Sequence, residues 1–313
     1  MTISREGLVV RSQSGFFTVE TDAGLVTCRL PGRLKKGQTE GDICAVGDRV
    51  VLTDQGDGTG MIESIAERTG AISRIRTGIK RDFRQILLAN PDQIVIVFAC
   101  TEPDPHLRML DRFLVIAEKQ NIHTLIVANK VDLISQDQAV AIFGLYAALG
   151  YTVLYTSAKT GEGVQALRDH LKGKISALTG PSGVGKSSLL NAVQPELGLH
   201  VREVSETTAK GRHTTQVREL FPLDFGGYVA DTPGIRSLAL WDTEPEELDA
   251  YFVELRDLVR DCQFSDCTHT HEPGCAVQRA VAEGRVSSAR YASYLRMRFG
   301  DEADPFIEQL IDD

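Results

Sequence analysis

Residues 179–191 read TGPSGVGKSSLLN, and the fold turns on how that stretch relates to a second one, NKVD at Asn129–Asp132. The first holds G-x-x-x-x-G-K-[ST] in full, behind the apolar run ISALTG and ahead of the helix-forming SLLNAV. In that strand–loop–helix context glycines let backbone N–H groups close around phosphates. In this reading Gly180, Pro181, Ser182, Gly183, Val184, Gly185, Lys186, Ser187 and Ser188 line the phosphates. Lys186 reaches the β- and γ-phosphate oxygens as the charge-stabilising catalytic cation, and Ser187 holds Mg²⁺. Such a loop usually opens its domain, whereas here it lies past the midpoint of 313 residues.

The loop alone does not choose between adenine and guanine. An aspartate carboxylate accepts two hydrogen bonds from the N1–H and N2 amino group of guanine, and adenine offers no such donor pair. NKVD thus predicts guanine: Asp132 reads the base, Asn129 holds its edge, and the stem of Lys130 covers the purine face. TSAK, Thr156–Lys159, ends the next predicted strand and adds Ser157, Ala158 and Lys159, with the Ala158 backbone facing the guanine carbonyl oxygen. DTPG, Asp231–Gly234, follows the apolar GYVAD; Asp231 is expected on Mg²⁺ through water and the Gly234 N–H on the γ-phosphate. Between the phosphate loop and DTPG, TTAKGRHTTQ offers Thr214 or Thr215 to complete the Mg²⁺ shell, and Thr215 is the one expected to do so.

These elements occur with the base-reading pair first and the phosphate-binding parts after it. Because the ends of a compact domain often lie close together, joining them and cutting elsewhere preserves the packing. The join is VQALRDHLKGKISALTG, and the predicted domain is a circularly permuted P-loop GTPase. Many GTPases place a glutamine after the aspartate–glycine motif to orient the attacking water. Ile235 stands there and cannot hydrogen-bond, which makes His213, within GRHTT, the candidate catalytic group.

Around this centre the chain changes texture twice. Before residue 69, short apolar runs alternate with turn signals (GLVVRS, GFFTVET, LVTCRL, GDRVVLT, GMIESIA), which predicts a small all-β barrel or sandwich. Residues 69–92 are basic and weakly periodic and read as a loop or linker. From Gln93, buried-type runs (IVIVFAC, TLIVANK, YTVLYTSA, ISALTG) alternate with helix-length segments, the pattern of a parallel sheet covered on both faces. After Trp241 the chain reads as helical: TEPEELDAYFVELRDLVRDC, with Leu248, Phe252, Leu255 and Val259 at helical spacing, then AVQRAVAEG closed by Gly284 and SSARYASYLRMRF opened by Ser287 or Ser288. The expected domains are residues 1–68, 69–240 and 241–313.

Charge is polarised along the chain. The net charge is −9, yet residues 1–90 carry 13 Lys/Arg against 11 acids, while residues 242–313 carry 7 against 17. Arg68, Arg74, Arg76, Lys80, Arg81 and Arg84 cluster in one stretch, and Arg29, Arg33, Lys35 and Lys36 in another; both read as basic patches for RNA phosphates. No apolar run is long enough for a membrane span and no signal-peptide pattern opens the chain, so a cytoplasmic protein is expected.

Of six cysteines, Cys28, Cys44 and Cys100 are scattered and read as small buried residues. The other three lie in CQFSDCTHTHEPGC as Cys262-x₄-Cys267-x-His269-x₅-Cys275, three thiolates and an imidazole that suit one closed, structural Zn²⁺ shell, with His271 as the rival imidazole.

In this permuted order, followed by the Cys/His cluster with EPGCAV, the motifs NKVD, TSAK, GPSGVGKS, GRHTT and DTPG resemble the bacterial small-ribosomal-subunit GTPases of the RsgA (YjeQ) family over nearly the whole chain. The resemblance implies an N-terminal OB-fold that binds RNA, a GTP/GDP- and Mg²⁺-dependent centre and a zinc-containing helical C-terminal domain. It further implies a role in late maturation of the small subunit, with rRNA contact and particle-stimulated hydrolysis. A monomer with neither DNA nor membrane as partner is expected. The competing readings are a nucleotide-gated binding module with incidental hydrolysis and a metabolic P-loop kinase, the latter leaving Asp132 and DTPG without a task.

Overall fold

The structure, a computed structural model, describes residues 3–35, 41–76, 83–198, 218–231 and 243–300. The five N-terminal runs form strands β1 (Ile3–Gln13), β2 (Phe16–Thr21), β3 (Gly24–Arg29), β4 (Arg49–Asp54) and β5 (Thr59–Ile65), with the short helix α1 (Gly32–Lys35) after β3. They pair in the order β1-β2-β3-β5-β4, and β4 returns to β1, closing a barrel. Alternation decides which side chains enter: Phe17 and Val19, Val26 and Cys28, Val50 and Leu52 fill the interior with Val9 and Ile62. Strand β1 is buried on both faces at Leu8–Val10. There alternation sends Val9 into the barrel and Leu8 and Val10 into the core of the neighbouring sheet, and the pairing with β2 shifts register between Val9 and Arg11.

Residues 69–92 correct the sequence reading. They contain β6 (Ala71–Arg76) and β7 (Phe83–Ala89), an antiparallel ribbon in which Ala71 faces Ala89 and Ile72 faces Leu88. Ile72, Leu87 and Leu88 are buried in the core shared by barrel and sheet, so this stretch is packed structure. Its arginines masked the alternation: Arg74 donates to Gln85 across the ribbon at 2.8 Å, while Arg68, just ahead of the stretch, grips the fully buried Asp48 at 2.7 and 2.8 Å.

The apolar runs after Gln93 become β8 (Gln93–Ala99), β9 (His123–Asn129), β10 (Thr152–Thr156) and β11 (Ile175–Thr179), joined by α2 (Leu107–Lys119), α3 (Gln136–Ala148) and α4 (Val164–Leu171). Helix α5 (Lys186–Val193) follows the phosphate loop, and β12 (Arg218–Pro222) and β13 (Tyr228–Asp231) complete the sheet, ordered β10-β9-β8-β11-β13-β12. Among the described strands of this sheet, β12 alone runs antiparallel to its neighbour. Strands β8, β9 and β11 are buried on both faces because separate cores lie above and below: Ile94, Ile96 and Phe98 pack with α2 and α3, and Val95 and Val97 pack with α4 and α5. β12 also pairs with β1, Arg11 opposite Glu219 and Ser12 opposite Arg218, so the barrel adds to the edge of the sheet.

The C-terminal region differs from a single long helix over 243–262. A turn at Pro245–Glu247 leads into the four-residue α6 (Leu248–Tyr251), and Phe252 then takes an extended conformation. Leu248, Phe252 and Leu255 are buried as the spacing required. Tertiary packing overrides helix propensity here: the Phe252 ring meets Tyr294 edge-on at 5.7 Å, and Glu254, two residues on, is held by Arg290. Helices α7 (Ala276–Ala282) and α8 (Ser288–Phe299) form where expected, the latter with Ser287 as its N-cap and Gly284 in the left-handed region between them.

Candidate nucleotide site and metal centre

The phosphate loop leaves β11 at Thr179 and enters α5 at Lys186. Its glycines meet steric demands that other residues fail. Gly180 has φ 139°, and a Cβ there would lie 2.1 Å from the Val97 carbonyl oxygen of β8; Gly185 has φ 90°, and a Cβ there would lie 2.5 Å from Asn129 Nδ2. The Lys186 ammonium donates back to the carbonyls of Gly180, at 3.0 Å, and Pro181, which holds its charge over the loop.

NKVD reaches the same loop across 55 residues of sequence. Asn129 ends β9, is almost fully buried, and donates from Nδ2 to the Val184 carbonyl at 2.8 Å. Its Oδ1 accepts from Thr156 Oγ1 at 3.2 Å, directly opposite in the β9–β10 register, so the amide is fixed in one orientation. Lys130 then turns left-handed, φ 64°, and its ammonium donates to the Glu102 carbonyl, drawing the aliphatic stem across the site. The next residues form a short turn before Ser135, whose reciprocal bonds with Gln138 cap α3.

Asp132 is oriented from the TSAK side. Ser157, fully buried, donates from Oγ to Asp132 Oδ1 at 2.6 Å and accepts the Thr160 N–H at 3.1 Å; the Lys159 ammonium stands 3.9 Å from Asp132 Oδ2. Asn129, Lys130, Asp132, Leu133, Ala158, Lys159, Gly185 and Ser188 line one pocket of about 390 Å³. Residues expected to read a base and residues expected to hold phosphates therefore share a cavity. Leu133 and the Glu102 carbonyl escaped the sequence reading: an exposed leucine after NKVD carries no pattern, and a backbone acceptor 28 residues upstream has no sequence signal at all. Thr214, Thr215, His213, Gly234 and Ile235 lie outside the described residues, as does the side chain of Asp231, whose backbone ends β13 beside Leu178.

Two family models match the chain up to residue 241, one described as the RsgA N-terminal domain over residues 6–62 and one as RsgA GTPase over residues 65–241. The chain belongs to the RsgA family of GTPases. A relative from Gemmatimonas aurantiaca named small ribosomal subunit biogenesis GTPase RsgA is 47% identical over 301 residues, covering 95% of this chain and 98% of its own. The RsgA of Thermotoga maritima, given the same name, is 41% identical over 302 residues, 95% of this chain and 97% of its own. Among solved structures, YjeQ from Thermotoga maritima matches with a TM-score of 0.76 at 40% identity, covering 95% of this chain and 98% of that one. YloQ, described as a circularly permuted GTPase, matches with 0.72 at 32% identity, covering 99% and 96%. The permutation read from motif order is thus shared with YloQ, and the late phosphate loop is its direct result.

The family's C-terminal region here carries a second site. Cys262, Cys267, His269 and Cys275 present one ligand atom each, all within 4.8 Å of one another. Cys262 Sγ and Cys275 Sγ are 4.0 Å apart and lie 3.6 and 3.5 Å from His269 Nδ1. The arrangement is placed to hold a metal ion, and it takes His269 rather than His271, which is exposed and bonded to Thr270. The other ring nitrogen of His269 meets Asp249 Oδ2 at 3.1 Å, an outer partner that fixes the ring, and Tyr291 donates to the His269 carbonyl.

The loop between the ligands is organised by Glu272. Its carboxylate accepts backbone N–H groups from Thr268 at 2.7 Å, Thr270 at 3.0 Å and His271 at 3.2 Å, and also the Thr268 hydroxyl. Burial opposes its charge, but these donors outweigh burial and pull the carboxyl down to about 2. A glutamate amid EPGC gave no sign of this role. Cys28 and Cys100 are buried apolar thiols as expected, each pushed up to about 11 by burial, and all six cysteines are unpaired.

Proposed function

We propose that this chain is a Mg²⁺-dependent GTP hydrolase that binds the small ribosomal subunit through its rRNA and assists its late maturation in the cytoplasm. One observation carries the guanine-nucleotide reading: the Asn129–Val184 hydrogen bond, which brings the base-reading motif onto the phosphate loop. The names of the relatives support the ribosomal part. No described helix is long and apolar enough to cross a membrane.

In this reading the Asp132 carboxylate, aimed by Ser157, accepts from guanine N1–H and N2, and the Lys130 stem and Leu133 bracket the purine. The Ala158 N–H meets the carbonyl oxygen, Lys159 flanks the base, and Lys186 swings from Gly180 and Pro181 to the β- and γ-phosphates. Backbone N–H groups of Pro181-Ser182-Gly183-Val184-Gly185, where proline contributes none, close around the phosphate oxygens with those of Lys186, Ser187 and Ser188. Mg²⁺, when bound, neutralises charge on the transferring phosphoryl group; Ser187, Thr215 and Asp231 are the residues that would hold it, and Gly234 N–H meets the γ-phosphate. His213 orients the attacking water in place of a glutamine.

The metal cluster fits one structural Zn²⁺. Tetrahedral Zn²⁺ with Zn–S bonds of about 2.3 Å separates its sulfurs by about 3.8 Å, close to the 4.0 Å between Cys262 and Cys275. The domains are assigned as residues 1–68, an OB-fold; 69–240, the GTPase; and 241–313, the zinc domain, with the chain acting as a monomer.

The test is GTP turnover with and without purified small ribosomal subunits across salt concentrations. Turnover that rises with the subunit, and a rise that salt weakens, supports the hydrolase reading with a phosphate-contact component. Equal rates together with nucleotide-dependent subunit binding favour a gated binding module, to which the apolar Ile235 would be suited.

A further inference from the structure

The barrel and the metal domain grip opposite halves of the GTPase sheet. The metal domain packs on α2 of the base-reading half, where Val115 enters its core and Asp111 meets Arg290 at 2.7 Å. The barrel instead joins at β12, which pairs with β1 on one side and with β13 on the other. β12 begins three residues after Thr215, and β13 ends at Asp231. β12 is therefore in direct contact with the barrel, and β13 lies one strand further into the sheet.

At the start of β12, Arg218 stands where barrel, ribbon and sheet meet. Its guanidinium donates to the Ile86 carbonyl of β7 and lies 3.4 Å from Asp42 Oδ2. The same Asp42 oxygen accepts the Ile86 N–H at 3.0 Å, and the Asp42 N–H donates to the Arg84 carbonyl at 3.2 Å. Arg68 closes the junction, donating to the carbonyls of Asp42 and Ile43 at 3.3 and 3.1 Å while paired with Asp48. This network is anchored in buried groups, and Arg218 is the member contributed by the catalytic sheet. One amino group, Nη1, serves both acceptors, Asp42 before β4 and Ile86 on β7, and the planar guanidinium that carries it fixes direction as well as distance.

We infer that Arg218 is a positioning residue that couples subunit contact at the barrel to GTP hydrolysis, by fixing the start of β12 against Asp42 and Ile86. The inference rests on the function proposed above. Substrate binding does not require it, since the base pocket and phosphate loop lie on other strands.

The full-length zinc-loaded chain is assayed for GTP turnover against rising concentrations of small ribosomal subunits, with wild type, Arg218→Met and Arg218→Lys, and GDP affinity and melting temperature are measured beside it. Arg218→Met is expected to keep GDP affinity and unstimulated turnover within about twofold, and to lose about tenfold of the stimulated kcat at an unchanged half-saturating subunit concentration. Arg218→Lys keeps charge toward Asp42 without the planar guanidinium, so an intermediate loss is expected and serves as the folded control. Full stimulation in both variants overturns the inference, as does a loss confined to subunit affinity. A wild type that subunits do not stimulate sinks the proposed function itself, and this coupling with it.

Discussion

Asn129 Nδ2 lies 2.8 Å from the Val184 carbonyl oxygen, across 55 residues of sequence and between two motifs that occur in the reverse of their usual order. The bond is buried, its donor is fixed by Thr156, and the loop approaches closely enough that Gly185 has no room for a side chain. A permuted chain thereby keeps an unpermuted site.

If Asp132 reads guanine by accepting two hydrogen bonds, replacing the acceptor by a donor should reverse the preference. Asp132→Asn is expected to weaken GDP binding by about 100-fold and to strengthen xanthosine diphosphate binding, because xanthine carries a carbonyl where guanine carries the amino group. Titration with both nucleotides checks it; unchanged GDP affinity removes Asp132 from the base.

His213 is assigned to the attacking water and not to binding. His213→Ala is expected to slow hydrolysis at least about tenfold with GTP affinity nearly unchanged. Single-turnover hydrolysis measured beside nucleotide affinity separates the two, and an unaltered rate strips His213 of the role.

Glu272 is held down at about 2 from an ordinary 4.5, because its charged form accepts the loop's N–H groups. The sign follows: the carboxylate contributes stability to the loop that is fully present above pH 4.5 and is lost as pH falls through about 2. Glu272→Gln turns an NH₂ group toward those donors, so metal retention against a chelator at neutral pH should fall by about tenfold. Retention equal to wild type would show that the loop is organised by the metal alone.

Arg290 is 1% exposed and is shared between Glu254, at 2.6 and 3.0 Å, and Asp111, at 2.7 Å, with the Tyr146 hydroxyl donating to Asp111 at 2.8 Å. Arg290→Met leaves two carboxylates buried beside each other, and a loss of about 3–5 kcal/mol is expected in denaturant unfolding. Adding Asp111→Asn and Glu254→Gln should recover part of it. Wild-type stability in the single variant would mean that the metal domain is not anchored through this pair.

Much of the centre was legible because its chemistry is local. Lys186, Asp132 and Cys262 sit in short motifs whose residue types leave few alternatives, and β8, β9 and β11 are apolar runs because helices cover both faces. Charge hid the rest. Arg74 and its neighbours made a half-buried ribbon read as a linker, Arg290 looks like a solvated residue until Asp111 arrives from another part of the fold, and Glu272 does so until its own loop folds back on it. The break at Phe252 was illegible for a related reason: the segment from Thr243 has helical spacing, and only Arg290 and Tyr294, about 40 residues later, show why it does not continue as a helix.

Calorimetric titration of the purified chain with GDP and with ADP, in Mg²⁺, tests the shared site most directly. GDP is expected to bind at least about 100-fold more tightly, since ADP forfeits both hydrogen bonds to a charged carboxylate. Equal affinities would contradict the account, because Asp132 would then not read the base in the pocket that NKVD shares with the phosphate loop.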